Sequence, residues 1–171
     1  MSQSAEKNIG PYLRALRRAK LLVLDVDGVL TDGRLHYGAR GEQTKVFHVR
    51  DGHGIKQVAR AGITVAIISG RKSAAVARRA KDLGIKFVFQ GVDDKMSVFR
   101  NLAKQRQVAI DECVCIGDDT PDAPLLAACG VGVAVADAHA DALAAADLVT
   151  SRHGGQGAVR ELCDWLMAAR A

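Results

Sequence analysis

The chain has 171 residues, about half of them hydrophobic and a quarter charged, with a formal net charge of +5. That length buries one good core and asks for no second, so a single domain over residues 1–171 is expected. There is no apolar run of membrane-spanning length and no signal-peptide pattern at the N-terminus, and the densest positive patch (Arg14, Arg17, Arg18, Lys20) lacks interleaved aromatics; these features point away from membranes and nucleic acid and toward a cytoplasmic protein.

Five short apolar runs, at residues 21–26, 63–68, 86–89, 113–116 and 131–135, read as buried strands. Between the second and later runs the apolar residues take helical spacing, as in Met96, Phe99, Leu102 and Ala103, and again at the end in Val159, Leu162, Cys163, Leu166 and Met167. Such alternation predicts an α/β fold, a doubly wound parallel sheet with helices on both faces. The interval after the first strand differs. Residues 33–50 carry no helical period but hold Leu35, Tyr37, a turn at 38–41 and a second apolar arm at 46–49, which predicts a projecting β-hairpin. Gly52 and Gly54 are then expected to release the chain into a short helix over 55–59. Gly62 and Gly84 are placed to stop helices, Thr120 to cap one with Pro121 in its first turn, and Gly154, Gly155 and Gly157 to make a flexible loop before the last helix. Cys113, Cys115, Cys129 and Cys163 lie in apolar stretches without zinc or redox spacing, so buried reduced thiols are expected.

In an open parallel sheet, ligands bind beyond the carboxyl ends of the strands. Here the first run ends in Asp25 and Asp27, the second in Ser69, Gly70 and Arg71, and the fourth in Gly117, Asp118 and Asp119 with Asp122 following; Lys95 comes soon after the third. A single Asp after a strand is ordinarily a turn former or helix cap. Several carboxylates converging on one point repel one another unless a cation sits among them. An all-oxygen ligand set favours magnesium, which keeps waters and shares its shell with a substrate phosphate. A lysine and a hydroxyl beside main-chain N–H groups suit the remaining phosphate oxygens.

The ordered set formed by residues 25–31 (DVDGVLT), Ser69-Gly70, Lys95 and residues 117–122 (GDDTPD) resembles the four signature motifs of the haloacid dehalogenase superfamily. Stretches 24–32, 49–52, 67–71, 135–139 and 154–161 resemble its capless branch, whose members include phosphatases of sugar-acid 8-phosphates and of sialic-acid-type 9-phosphates. The resemblance implies a phosphomonoesterase of a small phosphorylated sugar acid, with broad sugar-phosphate specificity as an alternative. It implies Asp25 as nucleophile, Asp27 as acid and base, and Ser69 and Lys95 as holders of the phosphoryl group. Mg2+ would be held by Asp25, the Asp27 carbonyl and Asp118, with Asp119 and Asp122 behind them. The sugar acid would be contacted by Asp27, His48, Val49, Arg50, Asp51, Gly52, Lys56, Gly70, Arg71, Arg79 and Lys95. Both intervals where superfamily members insert a cap are short here, so a homotetramer whose neighbouring subunits complete each site is expected. A receiver-like phospho-binding module is the competing class, but residues 117–122 have no counterpart in it; a silent binding subunit is argued against by the intact acids.

Overall fold

The computed structural model describes residues 9–39 and 41–171, the side chains of Glu42 and Gln43 excepted. Arg40, in the predicted turn, and residues 1–8, where the sequence shows no signal pattern, lie outside the described residues. Six parallel strands form the main sheet: β1 (Leu21–Leu24), β4 (Thr64–Ser69), β5 (Phe87–Gln90), β6 (Cys113–Gly117), β7 (Val131–Ala134) and β8 (Leu148–Val149), in the order β5-β4-β1-β6-β7-β8. The two missing numbers belong to the hairpin, β2 (His36–Gly38) and β3 (Gly41–Thr44), an antiparallel pair standing apart from the sheet. The sixth strand was not foreseen. At two residues β8 is too short to form an apolar run, and its pairing is helped by Asp147, whose carboxylate accepts from Gly132 N at 2.8 Å.

Alternation along β1 sends Leu22 and Leu24 into one core and Leu21 and Val23 into the other. The first core is covered by α1 (Leu13–Arg18), α2 (Val49–Arg60), α3 (Ala74–Leu83) and α7 (Ala158–Ala168); the second by α4 (Lys95–Arg106), α5 (Ala123–Ala128) and α6 (Ala140–Ala145). Val159, Leu162, Cys163 and Leu166 of α7 are fully buried, each aliphatic side chain contributing about 1.5–3 kcal/mol of hydrophobic stabilisation. Between β1 and β4 lie the hairpin and α2, and between β4 and β5 only α3, so the described residues contain no cap domain. None of their helices is long and apolar enough to cross a membrane.

Four expectations need correction. The helix after the hairpin begins at Val49, not near 55, and runs through both glycines. The glycines serve close packing there: a Cβ on Gly54 would stand 2.9 Å from Cys163 Cβ, and one on Gly52 would overlap Arg79. The second hairpin arm is Gly41–Thr44 rather than 46–49, and His48 instead caps α2, its Nδ1 accepting from Arg50 N at 3.2 Å. Asp119, not Thr120, caps the turn Thr120–Asp122 that leads into α5. The 154–157 loop is packed rather than loose: Gly155 N donates to Val29 O at 2.9 Å and Gly154 N to Asp137 Oδ1 at 2.9 Å. Cys113, Cys115 and Cys163 are buried, Cys129 is half-buried, and all four are free thiols.

Candidate active site

The site forms where β1, β4 and β6 end side by side. Their register is fixed, Leu24 lying opposite Ile67 on one side and Ile116 on the other, so the next residues of each strand emerge together. Beyond Leu24 the chain stays anchored to β6 through Asp25 N donating to Ile116 O at 3.2 Å. It then turns sharply. The Val26 carbonyl accepts from the amides of Val29, Leu30 and Thr31, while buried Thr31 Oγ1 accepts from Gly28 N and Gly33 N. This turn orients Asp25 and Asp27 over the strand ends.

Asp25, Asp27, Ser69, Gly70, Arg71, Lys95, Asp118, Asp119 and Asp122, with Val92, Asp93 and Pro121, line one cavity of about 370 Å³. The structure thus gathers residues from all four motifs, including each of their aspartates, Ser69 and Lys95. Carboxylate oxygens of Asp25, Asp118 and Asp122 lie within 4.8 Å of one another. Lys95, the first residue of α4, sends its ammonium between two of them, 2.8 Å from Asp25 Oδ1 and 2.7 Å from Asp122 Oδ1. The other Asp122 oxygen accepts from Asp118 N at 3.1 Å and Asp119 N at 3.4 Å, fixing the acidic loop after β6. Ser69 is 2% exposed and its Oγ accepts from Arg71 N at 3.4 Å.

One lysine does not neutralise this cluster. Burial, then repulsion from Asp122, raises the Asp25 carboxyl to about 6 against the pull of Lys95. Burial, then the charges of Asp25, Asp122 and Asp119, raises Asp118 to about 8. Lys95 is lowered by burial but raised more by Asp25 and Asp122, and stays cationic. Three convergent carboxylates with a deficit of positive charge and only oxygen donors fit a hard divalent cation.

The sugar-acid contacts expected from sequence do not converge on this cavity, apart from Asp27, Gly70, Arg71 and Lys95. His48 caps α2, Val49, Arg50, Asp51 and Gly52 form its first turn, and Lys56 lies farther along it. Val49 is 80% exposed, and Arg50 and Lys56 also face outward. Asp51 is turned away, buried against α7, where its Oδ1 accepts from Arg160 N at 2.8 Å. Gly52 lies under Arg79, which itself stands 5.9 Å over the Phe47 ring. Sequence reasoning missed Lys45 and Tyr37: Lys45 Nζ pairs with Asp27 Oδ1, and Tyr37 Oη accepts from Arg71 Nη2 at 3.1 Å. A lysine between Thr44 and Val46 offers no sequence signal of burial; only the return of the hairpin to the sheet turns it inward.

A family model described as haloacid dehalogenase-like hydrolase matches residues 87–162. The chain is 50% identical over 155 residues to 3-deoxy-D-manno-octulosonate 8-phosphate phosphatase of Haemophilus influenzae, covering 91% of this chain and 86% of that protein. Its fold matches the crystal structure of the enzyme of that name from Moraxella catarrhalis, in complex with magnesium, phosphate and the sugar acid, with a TM-score of 0.92 at 40% identity over 95% of this chain and 93% of that one. It also matches the cobalt-bound phosphatase from Haemophilus influenzae, with a TM-score of 0.89 at 49% identity over 91% of each chain. Together with the motif residues gathered at the strand ends, these likenesses show that the chain belongs to the haloacid dehalogenase-like hydrolases.

Proposed function

We propose that this chain is a magnesium-dependent phosphomonoesterase that converts 3-deoxy-D-manno-octulosonate 8-phosphate to the free sugar acid and inorganic phosphate. The observation that carries the reading is the cavity in which Asp25, Asp118 and Asp122 crowd around one point with Lys95 between them. Relatives of that name, 50% identical or structurally superposable over most of the chain, supply the substrate.

Asp25 attacks phosphorus in line as the bond to the sugar oxygen breaks, leaving an aspartyl-phosphate. Asp27 gives its proton to the departing oxygen, then takes one from the water that attacks the same phosphorus, and Asp25 is restored as phosphate leaves. Ser69, the main chain at Gly70 and Lys95 hold the phosphoryl oxygens, and Lys95 steadies Asp25 as well. Mg2+ would be held by Asp25, the Asp27 carbonyl and Asp118. When bound, it neutralises charge on the transferring phosphoryl group. Asp122 supports this set by fixing Lys95 and the amides of 118 and 119, and Asp119 stands at the rim.

One catalytic domain spanning residues 1–171 assembles, in this reading, into a cytoplasmic homotetramer. Leu35, Tyr37, Val46 and Val49 expose apolar surface on the hairpin and the start of α2, which favours association there. His48, Val49, Arg50 and Lys56 would then meet the sugar acid in a neighbour's site together with Arg71 and Arg79. Asp51 and Gly52 support that platform from beneath, because both are buried. The product is a lipopolysaccharide precursor. Family membership sets the receiver-module reading aside. Steady-state kcat/KM across phosphorylated sugars and sugar acids, including sialic-acid-type 9-phosphates, tests the substrate: 3-deoxy-D-manno-octulosonate 8-phosphate should lead the panel, and a better substrate elsewhere in it would overturn the naming.

A further inference from the structure

Lys45 carries a charge to an unusual place. Its neighbours Thr44 and Val46 are exposed, Val46 by 62%, yet the Lys45 side chain retains only 2% of its accessible surface. Removing an ammonium from water costs several kcal/mol unless a partner compensates. One such partner is Asp27, whose Oδ1 takes the Lys45 ammonium, while its Oδ2 is faced by Arg71 Nε at 3.7 Å. Arg71 is in turn tied to the hairpin by Tyr37, whose hydroxyl accepts from Nη2. Among the described residues, the two cations that flank the Asp27 carboxylate are therefore both linked to the hairpin, Lys45 by following β3 directly and Arg71 by its hydrogen bond to Tyr37 of β2.

We propose that Lys45 is a positioning residue for Asp27, making the hairpin part of the proton-transfer apparatus as well as an outer surface. The inference rests on the phosphatase reading above. An aspartate two residues beyond the nucleophile, on a turn, can rotate about its side-chain bonds; occupying Oδ1 with a fixed ammonium leaves Oδ2, on the side of the cavity lined by Arg71, to meet the sugar oxygen. Orientation of this kind acts on the barrier more than on binding.

The test compares leaving groups in the first turnover. A sugar alkoxide needs a proton to depart, whereas p-nitrophenolate does not. Lys45→Met should slow release of the sugar acid about 100-fold, the scale of a lost general acid, with KM changed less than about threefold and p-nitrophenol release within about threefold of the parent rate. Lys45→Arg, which keeps the charge, should recover at least a tenth of the parental rate on the sugar substrate. If Lys45→Met fails to fold by circular dichroism, Lys45→Gln carries the same comparison. Equal losses for both leaving groups, or none for either, would overturn the inference while leaving the phosphatase reading intact, provided Asp25→Asn is inactive in parallel. An active Asp25→Asn protein would overturn both.

Discussion

Gly28 and Asp118 compete for one space: Gly28 has φ of +87°, and a Cβ on it would overlap the Asp118 carboxylate. The turn after β1 and the acidic loop after β6 are thereby held at contact distance. Gly28→Ala combines a left-handed strain of about 1 kcal/mol with displacement of Asp118. The expected result is a 10- to 100-fold loss of magnesium affinity, the scale seen when a ligand's support is disturbed, measured by titrating activity with Mg2+.

Lys95 is the cation that Asp25 and Asp122 share. Lys95→Met should lower kcat about 100- to 1000-fold, as for loss of a preorganised donor. It should also lower the melting temperature more at pH 8 than at pH 5, because Asp25, raised to about 6, is ionised at pH 8 and then lacks its buried cation. Thermal unfolding at the two pH values reads the difference.

The metal-free protein should lose stability as pH rises. Asp25 and Asp118 have ordinary values near 3.8 but are raised to about 6 and about 8, so the folded chain holds protons that the unfolded chain has released. Their contribution is complete below about pH 4 and is lost through pH 6 to 8. Magnesium should reverse the trend, raising the melting temperature most at pH 8 and releasing protons on binding near pH 7. Calorimetric titration in buffers of different ionisation enthalpy measures that release; its absence would contradict the assigned cluster.

Asp51 separates support from contact. Its buried carboxylate accepts from Arg160 N at the start of α7, and burial, opposed by that hydrogen bond, raises its pKa. Asp51→Ala should cost about 1–3 kcal/mol of stability by leaving that amide without its acceptor. A denaturant melt measures this, and kcat on p-nitrophenyl phosphate should stay near the parent value.

The nucleus of the site was readable because its residues are strand ends. Asp25, Ser69 and Asp118 each follow an apolar run, and parallel register converts adjacency of runs into convergence of side chains. Lys95 was readable through the family motif. What sequence could not reveal came from long-range packing. Gly52 and Gly54 look like helix breakers until α3 and α7 are placed against them. Lys45 looks like a solvated residue until the hairpin folds back on Asp27. The two-residue strand β8 depends on a register with β7 that no local pattern encodes.

The central claim is that Asp25 accepts the phosphoryl group. A single turnover with substrate labelled at phosphorus, quenched in acid, should leave label on the protein, and borohydride should convert residue 25 to homoserine in the peptide map. No label in the quenched protein, label on another residue, or full turnover by Asp25→Asn would contradict the account.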